Sequence, residues 1–248
     1  MKQFIKNTLL VAASLWSVAT LAADPTVPLD KANVDLHDKA SLQRGAQLFM
    51  NYCLGCHSMQ YQRYNRTFKD LEIPEELGVE NLQFTGEKVG DLVTNAMTAE
   101  DAGNWFGTTA PDLTLVSRVR GADWIYTYLR SFYVDESRPF GVNNAVFPAV
   151  GMPHALQELQ GVPRKTTEQR MIDGEMQDVY VGIKADGSGM LTEAEYDQAA
   201  LDLTNFLVYT GEPMMLQQKR IGWYVFGFLL VFLIFAILLK REFFKDVK

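Results

Sequence analysis

The chain reads as a mainly α protein carrying a small β-hairpin insertion and one C-terminal transmembrane helix, and three patterns predict this. Residues 221–239 form an unbroken apolar and aromatic run, bracketed by Lys219-Arg220 and Lys240-Arg241. That run is long enough to span a bilayer and lacks the polar stripe of a surface helix. Apolar residues recur at helical spacing within 41–53, 123–132 and 192–209. Residues 164–191 instead gather β-prone Val179, Tyr180, Val181 and Ile183 behind an Asp173-Gly174 turn signal, which predicts a hairpin.

At the other end, Lys2 and Lys6 precede an apolar run over about 9–21 and then Ala22-Ala23. This is the pattern of a cleaved signal peptide, expected at 1–23; the run falls short of the ~20 residues that cross a bilayer. An exported head is then expected at 24–218, an anchor at 219–240 and a tail at 241–248. Four basic residues follow the span (Lys240, Arg241, Lys245, Lys248) against two just before it, which assigns the tail to the cytoplasm.

The 248 residues carry a net charge of −7. Lys2 and Lys6 would leave with the leader, and 219–248 holds six bases and two acids, so the exported head carries −13. Such a field repels nucleic acid and favours a basic protein partner through steering. No nucleotide-binding glycine pattern, hydrolytic triad or internal repeat is visible.

Exported proteins usually spend cysteines on disulfides, yet only Cys53 and Cys56 exist. Cys53-Leu54-Gly55-Cys56-His57 is the Cys-x-x-Cys-His pattern of covalent haem attachment. Two thiols at this spacing match two vinyl groups on one macrocycle edge, and the adjoining histidine points under the iron as proximal ligand. A thioredoxin-like dithiol would follow a strand, whereas Leu42, Ala46, Phe49 and Cys53 recur at helical spacing. A structural zinc wants four ligands, and beyond this motif the chain offers only His37 and His154. The head therefore reads as a periplasmic c-type haem domain with one haem.

A methionine on the second face closes the iron to substrates and raises its potential. Met1 leaves with the leader, Met50 and Met59 crowd the proximal motif, and Met214 and Met215 sit at the membrane, leaving Met97, Met152, Met171, Met176 and Met190. Met152 is selected because Gly151 and Pro153 flank it in a loop with Gly141 and Pro148. There glycine permits close approach to the ring and proline restricts the backbone. His154 is the competing ligand.

Along the head, 24–40 is expected as an extended arm, 41–58 as the haem-attachment helix and 67–110 as a polar, acidic stretch ending near Trp105-Phe106. A helix is expected over 123–132, with Trp124, Tyr128 and Phe132 on one face, read as core. Asp186-Gly187-Ser188-Gly189 lacks the oxygen-ligand spacing of a calcium loop and reads as a turn. Thr192 and Glu195 form a capping box that opens a helix to about Tyr209, buried through Leu203, Phe206 and Leu207. Gly211 and Pro213 end it above the membrane.

Several stretches share a further pattern: Arg44-Gly45 ahead of Tyr52, Ala110-Pro111-Asp112-Leu113, Arg118-Val119-Arg120-Gly121, Gly151-Met152-Pro153, and Gly211-Glu212-Pro213 before Lys219-Arg220. Over nearly the whole mature chain they resemble the cytochrome c1 family, the haem subunit of the cytochrome bc1 complex, in its bacterial form. The resemblance implies an electron-transfer subunit of a quinol:cytochrome c oxidoreductase in the bacterial inner membrane. It would accept an electron from a Rieske iron–sulfur protein and pass it to a soluble or tethered cytochrome c, in a dimeric complex with cytochrome b. It further implies one covalently bound haem c, Met152 as distal ligand and Arg120 on a haem propionate, with Arg118 the second candidate. Catalysis would belong to the assembled reductase, with no catalytic residue in this chain. His154 departs from the animal members, which have proline there, and the extra cysteine pair of some bacterial members is missing. Two rival functions are a haem enzyme with an open iron position served by His154, and a tethered shuttle outside any complex.

Overall fold

The computed structural model describes residues 27–86, 88–172 and 174–246; the expected signal peptide at 1–23 and Asp173 of the expected turn lie outside them. In chain order the elements are α1 (Lys39–Leu48), a π-helical turn (Phe49–Cys53), β1 (Met59–Arg63), α2 (Tyr64–Asp70), α3 (Glu75–Leu82), β2 (Leu92–Val93) and α4 (Ala99–Phe106). There follow α5 (Val116–Arg120), α6 (Ala122–Arg130), β3 (Phe132–Val134), β4 (Val142–Asn144), α7 (Gln157–Gln160), β5 (Pro163–Ile172), β6 (Glu175–Ala185), α8 (Glu193–Gly211) and α9 (Met215–Phe243). The three strand pairs, β1–β2, β3–β4 and β5–β6, are each antiparallel, so the fold is mainly α, as the sequence predicts.

Two helices from opposite ends of the head make its centre. Asp38 starts α1 by accepting from the Ser41 amide at 3.0 Å. Thr192 starts α8 through the predicted capping box, in which Glu195 Oε2 accepts from the Thr192 amide at 2.9 Å. The two cross at Gly45, where a Cβ would lie 2.1 Å from the Asp202 carbonyl oxygen. Only glycine allows the backbones so close. Around the crossing Leu42, Ala46, Phe49, Ala200, Leu203 and Phe206 are at most 1 % exposed, and the Phe49 and Phe206 rings meet at 5.8 Å between centroids. Asp202, buried in this seam, accepts from Ser41 Oγ (2.6 Å), Arg44 Nε (2.6 Å) and Gln198 Nε2 (2.8 Å).

The expected helix over 41–58 ends early. Beyond the π turn, the Cys53 carbonyl accepts from both the Cys56 amide (3.1 Å) and the His57 amide (2.8 Å). These bonds close the chain into a turn, and β1 begins at Met59 instead of a further helical turn. The acidic stretch 67–110 holds α3, α4, β2 and most of α2, because short apolar sets such as Phe68, Leu71 and Leu82 dock on the core. The helix expected over 123–132 ends at Arg130, and Phe132 lies on β3.

The arm over 27–37 is strapped down: Asp30 N donates to Thr127 Oγ1 (2.8 Å), Ala32 N to Asp123 Oδ1 (2.8 Å) and Asp35 N to Asn205 Oδ1 (3.2 Å). The hairpin β5–β6 packs against β3. Helix α9, at 29 residues, extends about 43 Å at the usual rise. It is long and apolar enough to cross a membrane, with none of its apolar window buried, and fits a single-pass anchor.

Gly45→Ala is expected to lower stability by roughly 1–3 kcal/mol or more, since neither backbone at the crossing can yield. Gly103→Ala in α4, where a Cβ meets nothing within 4 Å, is expected to raise it by about 0.5–1 kcal/mol. Thermal unfolding of the full chain in detergent separates the two.

Candidate haem-binding site

Cys53 leaves the π turn facing the core, Cys56 and His57 sit on the following turn, and a cavity of about 360 Å³ opens beside them. Its wall comes from the attachment turn (Cys53, His57), the 108–113 segment, α5–α6 (Arg120, Trp124, Tyr128), the 147–152 loop and α8 (Leu203, Leu207). A smaller cavity shares His57, Pro111, Gly151 and Met152 and adds Cys56 and Phe106. The lining is largely apolar, as a low-polarity macrocycle requires.

His57 is buried, and its Nδ1 lies 2.8 Å from the Pro111 carbonyl oxygen. A carbonyl can only accept, so Nδ1 carries the proton and Nε2 keeps a lone pair. Burial lowers the imidazole pKa, partly opposed by the Pro111 bond, which favours this neutral, ligating form. Pro111 belongs to the Ala-Pro-Asp-Leu stretch, and Asp112 fixes that segment by accepting from the Gln60 amide at 2.7 Å. Burial pushes the Cys53 thiol up to about 12, the opposite of the lowered pKa that reactive dithiols need, and Cys53 and Cys56 are not disulfide-bonded. Among the described residues no group of three His, Cys, Asp or Glu is placed to hold a bare metal ion. Two free thiols, an imidazole with a free Nε2 and a thioether on one apolar cavity fit a covalently held haem.

Met152 lines both cavities with His57, carried by a loop that is tied at several points. Arg138 Nη2 donates to the Ala149 carbonyl (2.9 Å), Ala149 N to Asn143 Oδ1 (2.9 Å), and Val146 N to Asn144 Oδ1 (2.9 Å). These ties hold Ala149 at φ 61°, an uncommon value for a residue with a Cβ. The glycine before Met152 also makes a close approach to protein: a Cβ on Gly151 would lie 2.7 Å from the Thr108 methyl. Packing on the 108 segment therefore requires glycine there, on the wall of both cavities. The other methionines are elsewhere: Met171, Met176 and Met190 are exposed, and Met97 lines a separate cavity with Leu54, Gly55 and Trp105.

His154, the competing ligand, lines neither cavity. Its ring stacks on Phe132 at 4.7 Å and 7°, and Nε2 lies 2.7 Å from Gln160 Oε1. Arg120 borders the larger cavity, its guanidinium 4.8 Å from the Trp124 ring centroid and 5.6 Å from that of Phe147. Arg118 instead pairs with Glu212 at 3.4 Å.

The sequence reading passed over three contributors. Tyr128, assigned to the core with Trp124 and Phe132, borders the cavity, and its hydroxyl donates to Met152 Sδ at 3.3 Å. Trp124 stacks on Tyr128 at 4.9 Å and 11°. Asn144, whose Nδ2 donates to the Tyr128 carbonyl at 2.8 Å, ties α6 to the methionine loop. Only the i, i+4 spacing of Trp124 and Tyr128 was a visible signal.

Comparison with known proteins agrees with this geometry. A sequence model of the Cytochrome C1 family matches residues 30–247. The chain belongs to the cytochrome c1 family. It is 51 % identical to a cytochrome c1 of Allochromatium vinosum over the full length of both chains. It is 41 % identical to a Nitrosomonas europaea protein named ammonia monooxygenase gamma subunit, over 96 % of this chain and 97 % of that one. It is also 24 % identical to a cytochrome b/c1 of Bradyrhizobium diazoefficiens, over 84 % of this chain and 34 % of that one. Cytochrome c1 is the haem subunit of the bc1 complex, so this chain has an electron-transfer role as a redox subunit beside cytochrome b.

His154→Leu is expected to destabilise by roughly 1–3 kcal/mol, through the lost Phe132 stack and an unpaired Gln160, while leaving the visible haem spectrum unchanged. A spectral change at matched haem content would return His154 to the iron.

Proposed function

We propose that Cys53 and Cys56 would hold one haem c through two thioether bonds, that His57 Nε2 and Met152 Sδ would be its iron ligands, and that Arg120 would meet a propionate. The carrying observation is that His57, with Nδ1 committed to Pro111, and Met152 border the same cavity from segments 95 residues apart. The bound group supplies a one-electron carrier. The chain's own residues would supply both iron ligands, exclude water with Trp124, Leu203 and Leu207, and set the Arg120 guanidinium on the cavity wall.

In this reading the subunit accepts an electron from a Rieske iron–sulfur protein and gives it to a soluble or tethered cytochrome c, in a dimeric complex. The head stands in the periplasm behind a cleaved leader, and the basic tail stays in the cytoplasm. The basic flank after the apolar run supports that orientation; the acidic head favours a basic acceptor. The oxygenase named for the Nitrosomonas relative is not adopted for this haem site, because Met152 as the second iron ligand would leave no open position for a substrate.

The test is an absorption spectrum of the detergent-extracted protein, ferric and then reduced under carbon monoxide, for wild type and Met152→Leu. The wild type is expected to show the weak far-red band of a sulfur–iron bond and to refuse carbon monoxide; the variant loses the band and binds it. An unchanged variant spectrum moves the ligand elsewhere, and carbon monoxide binding by the wild type favours a haem enzyme.

A further inference from the structure

Tyr128 has a hydroxyl with an unusual partner. Among the described residues its only hydrogen bond goes to Met152 Sδ, at 3.3 Å, although thioether sulfur is a weak acceptor. The ring has little freedom to seek a better one. Trp124 stacks on one side at 4.9 Å, and Phe132 meets it edge-on at 5.2 Å. Asn144 ties down the Tyr128 carbonyl and also accepts from the Val146 and Phe147 amides, at 2.9 and 3.1 Å. One asparagine thereby fixes the phenol and the loop leading to Met152 in a common frame.

We propose that Tyr128 is the positioning residue for the Met152 thioether, holding one sulfur lone pair so that the other faces the cavity and is a poorer electron donor. This rests on the reading that Met152 is the distal ligand. The consequence follows from charge. The ferric state demands more density from its ligands than the ferrous state, so a hydrogen bond that draws density from sulfur disfavours ferric iron. Second-shell hydrogen bonding of this kind tunes a metal through its ligand. Tyr128 therefore raises the midpoint potential and restricts sulfur to one orientation.

The experiment compares Tyr128→Phe, Tyr126→Phe and Met152→Leu in the detergent-extracted complex. It reads the midpoint potential of this haem by redox titration, together with the far-red sulfur–iron band. Tyr128→Phe keeps the ring and its stacking and removes only the hydroxyl. At fixed ambient potential its ferrous-to-ferric ratio is expected to fall roughly two- to tenfold, the scale of one hydrogen bond, with the band retained. Tyr126→Phe, two residues along α6, is expected to match wild type. Met152→Leu is expected to lose the band. If Tyr128→Phe titrates like wild type, or at higher potential, while Met152→Leu loses the band, the positioning role is overturned and the ligand reading stands. A band that survives in Met152→Leu overturns both.

Discussion

At the crossing of α1 and α8, Gly45 brings two backbones closer than any side chain would permit, and the haem motif begins eight residues later on the same chain. Fully burying one large apolar side chain is worth about 1.5–3 kcal/mol, and Leu42, Phe49, Leu203 and Phe206 are all at most 1 % exposed at this seam. The Arg44–Asp202 pair contributes less: Arg44 is 49 % exposed, and such pairs give about 0–1 kcal/mol. Packing therefore holds the crossing. Asp202 sets its register, since a buried carboxylate must find its donors, and Ser41 and Arg44 of α1 supply them in only one alignment.

From that fixed seam the site assembles by successive ties. The π turn continues α1, the Cys53 carbonyl closes the attachment turn, and His57 reaches the Pro111 carbonyl. On the opposite wall α6 packs on α8, Asn144 ties α6 to the strand that leads into the methionine loop, and Asn143 and Arg138 hold that loop at Ala149. His57 and Met152 stand on separate segments, the first held by the Pro111 carbonyl and the loop of the second held through the Ala149 backbone. An electron carrier needs such rigidity, because any ligand rearrangement between oxidation states adds to the barrier for transfer.

Much of this was legible in the sequence where a local pattern states its own physics. The Thr192–Glu195 capping box, the buried face of α8, the hairpin and the apolar anchor all appear in the structure. The end of the attachment helix was not legible, because it depends on two amides competing for the Cys53 carbonyl, which periodicity does not record. Nor was the role of Tyr128: an aromatic at helical spacing looks the same whether it fills a core or borders a cofactor cavity. Gly151 was marked correctly as a close approach, but its neighbour, Thr108, lies more than forty residues away in sequence. His154, the alternative to Met152 in the linear sequence, is engaged by Phe132 and Gln160, partners that only the fold brings together.

Near-infrared magnetic circular dichroism of the ferric full-length chain, purified in detergent with its haem, tests the convergence of His57 and Met152 on one iron most directly. Thioether–imidazole ligation gives a charge-transfer band distinct from that of paired imidazoles or of an open position. The His57–Met152 band is the expected result. A paired-imidazole spectrum, or one with water on the iron, would contradict it and require a different wall of the cavity to face the haem.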